Sequence, residues 1–350
     1  MEIEQLIWGM TAEGEAIVLY TLRNSAGAEV RLCNYGAAVV AATMPDRTGH
    51  MDDVVLGYRH FESYFGDAAS CGKCLGRCAG RTAYGQLPIA GEEHRLEINH
   101  GAHHLNGGTK GFANRLWEGR VETNRVVMSL TSEEGDQGYP GVVNVEVIFD
   151  FDDDNTLEIT YLSRTDRPTA VNLTHQIYLN LAGEAAGEAL DHEVQINATQ
   201  ALELDDEQLP TGRFVEVADT PQDFRTMRSL RTAIDANFNH IHTLRGYNHP
   251  FVIAHWQPHI LTDAATLRCP QSGRCVNVQS SHPCVVLDTG NRLAGGCPET
   301  KSGGRYANHA GVALVCQNHP DAVHHADFPT PLLQADELYC QKIIYRFGTY

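Results

Sequence analysis

The chain is 350 residues long, 42% apolar and 20% charged, with a formal net charge of -18 from 26 basic and 44 acidic side chains. That apolar fraction supports a large packed core and excludes a disordered chain, and the negative balance repels a phosphate backbone, so nucleic acid is excluded as a partner. No stretch reaches the roughly 20 apolar residues of a membrane-crossing helix, and Met1-Glu2-Ile3-Glu4-Gln5 carries neither a basic region nor an apolar run. A cytoplasmic protein without membrane contact is therefore expected.

In chain order, strands are expected at residues 28–32, 121–130, 142–149, 156–162, 194–198 and 284–287, separated by Gly, Pro, Asn and Asp turns. Between Val143 and Phe149 the alternation is explicit: Val143, Val145, Val147 and Phe149 share one face. Short helices are expected only at 61–65 and 223–230. Strand following strand without alternating helices argues against a doubly wound nucleotide-binding fold. The expected fold is all-β, a large, mainly antiparallel β-sandwich, with residues 1–350 forming one domain. The Gly-rich, polar stretch 295–308 reads as a long surface loop, placed between apolar runs where an insertion over a pocket is also possible.

Ten cysteines are numerous, but Cys71, Cys74 and Cys78 form the sole cluster in sequence and lack a nearby fourth ligand, so free thiols are expected. His240 and His242 have same-strand spacing with no assignable third ligand, and His104, His319, His324 and His325 add imidazoles near other motifs. No metal is expected. The pairs Gly295-Gly296 and Gly303-Gly304 lack the lysine and hydroxyl residue of a phosphate loop, which argues against a nucleotide-dependent kinase, and no nucleophilic serine motif is evident.

Several separated motifs carry more information. They run Asn34-Tyr35-Gly36-Ala37, Pro45-Asp46-Arg47, Asp53-Val54-Val55-Leu56-Gly57-Tyr58, Gly76-Arg77, Arg81, Gly107-Gly108, Gly111-Phe112 and Trp117. Then come Gly138-Tyr139-Pro140-Gly141, Asn172-Leu173-Thr174, Tyr178-Leu179-Asn180-Leu181, Leu209-Pro210-Thr211-Gly212 and Pro221-Gln222-Asp223-Phe224. Gly246-Tyr247, Ser272-Gly273-Arg274, Thr289-Gly290-Asn291, Gln317 and Pro320-Asp321 complete the series. In this order, over roughly residues 30–345, they resemble the motifs of the aldose 1-epimerase (galactose mutarotase) family. The resemblance implies a β-sandwich with a cleft on one sheet face, a cofactor-free sugar isomerase ancestry, and a monosaccharide or sugar derivative as partner.

Mutarotation opens and recloses a sugar ring, so a base must take the anomeric hydroxyl proton while an acid protonates the ring oxygen. In the resembling family a glutamate is the base and a histidine the acid; a second histidine, an aspartate and an arginine hold the sugar. Carried over residue by residue, the base position, two residues before Gln317, is Val315. The acid position, two residues before Tyr178, is Gln176. The second histidine, just before Gly107-Gly108, is Asn106, and the aspartate after Gly246-Tyr247 is Asn248. Arg81 stays at the arginine position, with Gly80 before it where the family has asparagine; Asp288 stands where a tyrosine is expected and Val286 where a glutamine is. Asn106, Gln176, Asn248 and Arg81 remain candidate substrate-binding residues.

Three residues are candidate catalytic replacements: Asp288, a new carboxylate beside the pocket motifs; His249, next to Asn248; and His175, next to Gln176. Adjacent residues of a strand face opposite ways, so His175 needs a bulge to reach the position of its neighbour, and Cys316 needs a register change to stand in for Val315. Arg81 can donate oriented hydrogen bonds to sugar hydroxyls or to a carboxylate ligand. Three readings follow: a carbohydrate-binding or regulatory homologue with little mutarotase activity, a sugar epimerase with a rearranged acid-base site, or a structural or interaction protein.

Overall fold

The computed structural model describes residues 1–234 and 244–350. The His240 and His242 pair lies outside the described residues. Three antiparallel sheets dominate. The nine-stranded sheet runs, in spatial order, through Glu118–Glu122, Arg125–Ser132, Val143–Phe151, Thr156–Thr165, Tyr339–Thr349, Arg274–Ser280, Thr262–Arg268, Glu193–Ile196 and Arg228–Ser229. The six-stranded sheet follows Tyr178–Leu179, Val312–Gln317, Cys284–Asp288, Asn248–Val252, Gln200–Leu204 and Pro210–Glu216. A five-stranded sheet holds the N-terminal Glu2–Met10, Ala16–Arg23, Glu29–Cys33, Ala38–Pro45 and Met51–Asp53.

The inner faces of all three meet in one core. Val143, Val145, Val147 and Phe149 are buried as their alternation requires, and they join Val30 and Val39 from the five-stranded sheet and Phe251, Leu287 and Leu314 from the six-stranded one. At ~1.5–3 kcal/mol per fully buried aliphatic or aromatic side chain, this shared core is the main favourable term for folding. The architecture is the mainly antiparallel β-sandwich that the residue pattern implies.

Two elements differ from expectation. Residues 121–130 are not one strand but most of a hairpin, with Val121 opposite Val126 and a turn at Thr123-Asn124. Thr123 takes φ 45°, a left-handed turn conformation that interrupts the apolar run. Residues 223–230 are not a helix. Asp223 accepts the Arg225 backbone N–H and both its Nε and Nη2, which closes a local turn, and Arg228–Ser229 then pairs with Glu193 and Val194 at the sheet edge. The helix starts later, at Leu230–Ile234. Near 61–65, a single 3-10 turn forms at Phe61–Tyr64.

The 295–308 stretch is a pinned excursion. Lys301 Nζ reaches the Asp53 carboxylate (2.5 Å) and the Val55 carbonyl (2.7 Å), while the Tyr306 hydroxyl donates to the Gly57 carbonyl (2.8 Å) and contacts Glu184. Its first residues, after the helical turn Leu293–Gly296 begins, form part of a cavity wall described below.

Two buried arginines bind segments together. Arg77, 2% exposed, donates from Nε to Ser132 Oγ (2.9 Å), from Nη1 to the Pro140 carbonyl (2.8 Å) and Thr169 Oγ1 (3.4 Å), and from Nη2 to the carbonyls of Ser132 (2.9 Å) and Glu133 (2.8 Å). Arg274 similarly bonds the carbonyls of Met44, Leu181 and His50. Backbone carbonyls thus take the place of water around each guanidinium.

Candidate functional site

The cavity lies on the outer face of the six-stranded sheet, where strand register sets its floor. Tyr178 pairs with Ala313, Ala313 with Asp288, and Asp288 with Asn248, so these four side chains form one row. Val315, Val286 and Pro250 form the next row, two residues along each strand. Asp288 is therefore one step along its strand from Val286 and diagonal to Val315.

Around this floor is a cavity of about 540 Å³ whose lining includes Arg81, Asn106, Gln176, Asn248, Asp288 and Val315. Residues separated by more than two hundred positions converge here, as the motif order implies. Cavities of about 600 Å³ over Ser129 and Glu146, and about 640 Å³ beside Trp256 and His282, contain none of these six.

The rim comes from the Arg81 and Asn106 turns. Leu105 pairs with Arg81, and Asn106 Oδ1 accepts the Gly80 N–H (2.8 Å). Asn106 sits at φ 50°, a conformation asparagine tolerates better than most residues. Gly107 follows at φ +85°, and a Cβ there would lie 1.7 Å from the Gly76 carbonyl oxygen, so the close approach of the two turns requires glycine.

Inside, Asp288 is held by three donors. Its Oδ1 accepts the Gly290 N–H (2.8 Å), and its Oδ2 accepts the Tyr178 hydroxyl (2.8 Å) and Gln176 Nε2 (3.2 Å). Burial pushes its carboxyl above the usual range, against the opposite pull of those hydrogen bonds. Gln176 Nε2 also donates to the Tyr178 hydroxyl (3.0 Å). Arg81 donates from Nη2 to Gln208 Oε1 (2.9 Å), while its buried Nε has no hydrogen-bond partner among the described residues.

His175 and His249 do not line the cavity. His175 is fully buried, with Nδ1 2.7 Å from the Tyr161 hydroxyl and Nε2 2.9 Å from the Ala37 carbonyl. This arrangement makes Nε2 the donor and Nδ1 the acceptor, a neutral core imidazole rather than the acid considered from sequence. The strand carries no bulge to turn it, and its neighbour Gln176 takes the cavity face. His249 is 2% exposed, opposite Leu287, and packs its ring against Tyr247 at 5.7 Å. Asp288 alone of the three candidate replacements faces the cavity.

Buried histidines predict acid sensitivity. Burial pushes His175, His192 and His319 down to about 4 and His282 to about 3. Unfolded, each titrates near 6.5. Below that pH the unfolded chain takes up protons that the folded chain refuses, so stability is full above about pH 6.5 and falls as pH drops toward the folded values. The limiting slope is about 1.4 kcal/mol per pH unit for each histidine. Urea denaturation at stepped pH is expected to show a steep loss between pH 6.5 and 4, made shallower by His175→Gln if that variant folds.

Sequence reasoning missed His100, Gln208 and Arg292 and gave Asn291 only as a motif residue; all four are on the cavity wall. Arg292 directly follows the Thr289-Gly290-Asn291 motif, which was signal enough to find it; His100 lies in a turn with no motif of its own. The Cys71, Cys74 and Cys78 cluster does not converge on one site. Cys71 Sγ instead lies 3.8 Å from Cys297 Sγ, and Cys74 opposes His175 in a short strand pair. All ten cysteines are free thiols. Asp67, Cys71 and Cys297 come close enough to share an ion, but buried Lys73, 3.7 Å from Asp67, already supplies a cation there.

With this geometry in place, comparison with known proteins defines the class. The Aldose 1-epimerase family model matches residues 18–346. The chain is 35% identical over 319 residues to galactose mutarotase of Bos taurus, spanning 91% of each protein, and 32% identical over 341 residues to aldose 1-epimerase of Escherichia coli K12, spanning 97% of each. The crystal structure of an aldose epimerase homologue from C. elegans superposes with a TM-score of 0.86 at 30% identity, over 94% of this chain and 98% of that one. The chain belongs to the aldose 1-epimerase family.

Proposed function

We propose that this chain binds a monosaccharide or sugar derivative in the Arg81 cleft and accelerates ordinary mutarotation little or not at all. One observation carries the reading: Val315 and Gln176, at the positions where the resemblance puts the family's base and acid, line the same cavity as Arg81. A valine has no site for a proton, and a primary amide does not titrate near neutral pH. The family's binding positions keep hydrogen-bonding groups, since Arg81, Asn106 and Asn248 can all meet hydroxyls. A sugar can therefore be held where its ring is not opened.

Asp288 favours a second reading, a rearranged acid-base site. It is a cavity carboxylate whose affinity for a proton is raised, one sheet step from the family's base position. Against it, both oxygens are already engaged by donors, which suits an anchor for Tyr178 and Gln176 better than a mobile base.

Saturation-transfer NMR with galactose and glucose separates the readings by recording binding and anomer exchange in the same sample. Wild type is expected to show binding without faster exchange, and Asp288→Asn to leave the exchange rate at the buffer value. Accelerated exchange that Asp288→Asn abolishes would replace the first reading with the second.

A further inference from the structure

Where this fold uses an arginine structurally, it satisfies it. Arg77 makes five hydrogen bonds and Arg274 bonds three backbone carbonyls. The cavity arginines are different. Arg81 has one neutral acceptor, Gln208, and a buried Nε with none; the guanidinium of Arg292 has no hydrogen-bond partner among the described residues. No described carboxylate lies within ion-pair distance of either. In a chain of net charge -18, two cations on one cavity wall that have no ion-pair partner among the described residues are a local concentration of positive charge.

The nearest carboxylates are not ion-pair partners of either arginine. Asp288 accepts from Gly290, Tyr178 and Gln176, and Asp205, which favours the Arg81 cation from outside the cavity lining, accepts the N–H groups of Glu207 and Leu209. Burial and the neighbouring charge of Arg292 both act against the Arg81 cation, and His100 is held below its usual value by burial, Arg81, Arg292 and His103. Arg81, Arg292 and His100 are thus close enough to feel one another, and an anion among them relieves that repulsion.

Resting on the sugar-binding reading above, we propose that the cleft takes an anionic aldose, whose carboxylate or phosphate monoester sits between Arg81 and Arg292 while the sugar ring lies over Asn248 and Gln176. The planar guanidinium of Arg81 offers its free donors to an oxyanion, and Arg292, on the exposed rim, adds the second charge. Asn248, whose side-chain amide has no partner among the described residues, remains open for a hydroxyl.

The test is calorimetric titration of the full chain with galactose, galacturonate, galactose 6-phosphate and inorganic phosphate, each at low and high salt. At least one anionic sugar is expected to bind about tenfold or more tighter than galactose, the factor a charge-assisted contact supplies. That advantage, read as the ratio of anionic-sugar to galactose affinity within each protein, is expected to shrink with salt and to fall severalfold further in Arg292→Ala. The uronate and phosphate arms tell which anion fits. Galactose binding as tightly as both anionic sugars would overturn this proposal and leave the sugar-binding reading standing. Inorganic phosphate binding as tightly as the sugar phosphate would overturn its aldose part, and no binding of any sugar would overturn both readings.

Discussion

The double variant Val315→Glu/Gln176→His is expected to accelerate anomer exchange of galactose by about 10²-fold or more over wild type, with neither single change sufficient alone. A positioned general acid or base contributes roughly 10²–10⁴, and groups that act as one unit are far from additive. Both positions already line the cavity, so the new groups would meet the sugar without rebuilding the fold. Beside Val286 and Pro250, a carboxylate at 315 would be partly desolvated, and diagonal Asp288 would repel it; both effects raise its proton affinity toward neutrality, which suits a base. An imidazole at 176 would inherit the Asp288 carboxylate that Gln176 now meets at 3.2 Å, and this partner favours the protonated, acid form. Adding Asp288→Asn separates the contributions: it would ease the repulsion at 315 and weaken the acid at 176. Polarimetry of freshly dissolved galactose reads the rate. A folded, galactose-binding double variant with no gain would mean that positions 315 and 176 do not hold the reaction geometry.

Arg77→Ala is expected to cost about 3–5 kcal/mol of stability, from several buried acceptors left unsatisfied at roughly 1–3 kcal/mol each and from the void the side chain leaves. Truncation would strand the carbonyls of Ser132, Glu133 and Pro140, and leave a void against Tyr139, whose ring lies 5.6 Å from the guanidinium carbon. Arg77→Lys keeps a charge but reaches fewer of these acceptors, so it should fall between wild type and alanine. Urea denaturation gives the difference directly. A loss below about 1 kcal/mol for alanine would show that water can replace the guanidinium, and that the 132–141 segment is not held from this side.

The strands that were legible in sequence were those whose apolar residues alternate without interruption, such as Val143–Phe151, where period-two burial leaves little choice of face. The Thr123-Asn124 turn was hidden because valines flank it closely on both sides, and 223–230 looked helical until Asp223 and Arg225 closed a turn on each other. At the site, alternation worked well as a guide: Gln176 and Asn248 face the cavity and their neighbours His175 and His249 do not. What sequence could not supply was distance through space. The approach of Cys71 to Cys297, 226 positions apart, depends on how two loops fold over the cavity. The company His100 and Arg292 keep with Arg81 likewise arises only when the sheet is assembled.

The most direct test of the central claim is time-resolved polarimetry of freshly dissolved α-galactose with and without the wild-type chain, with binding of galactose verified in parallel. The account predicts that galactose binds and that the two decay curves superimpose. A decay that quickens in proportion to protein concentration would contradict it, and would place a working acid-base pair in a cavity where Val315 and Gln176 occupy the expected positions.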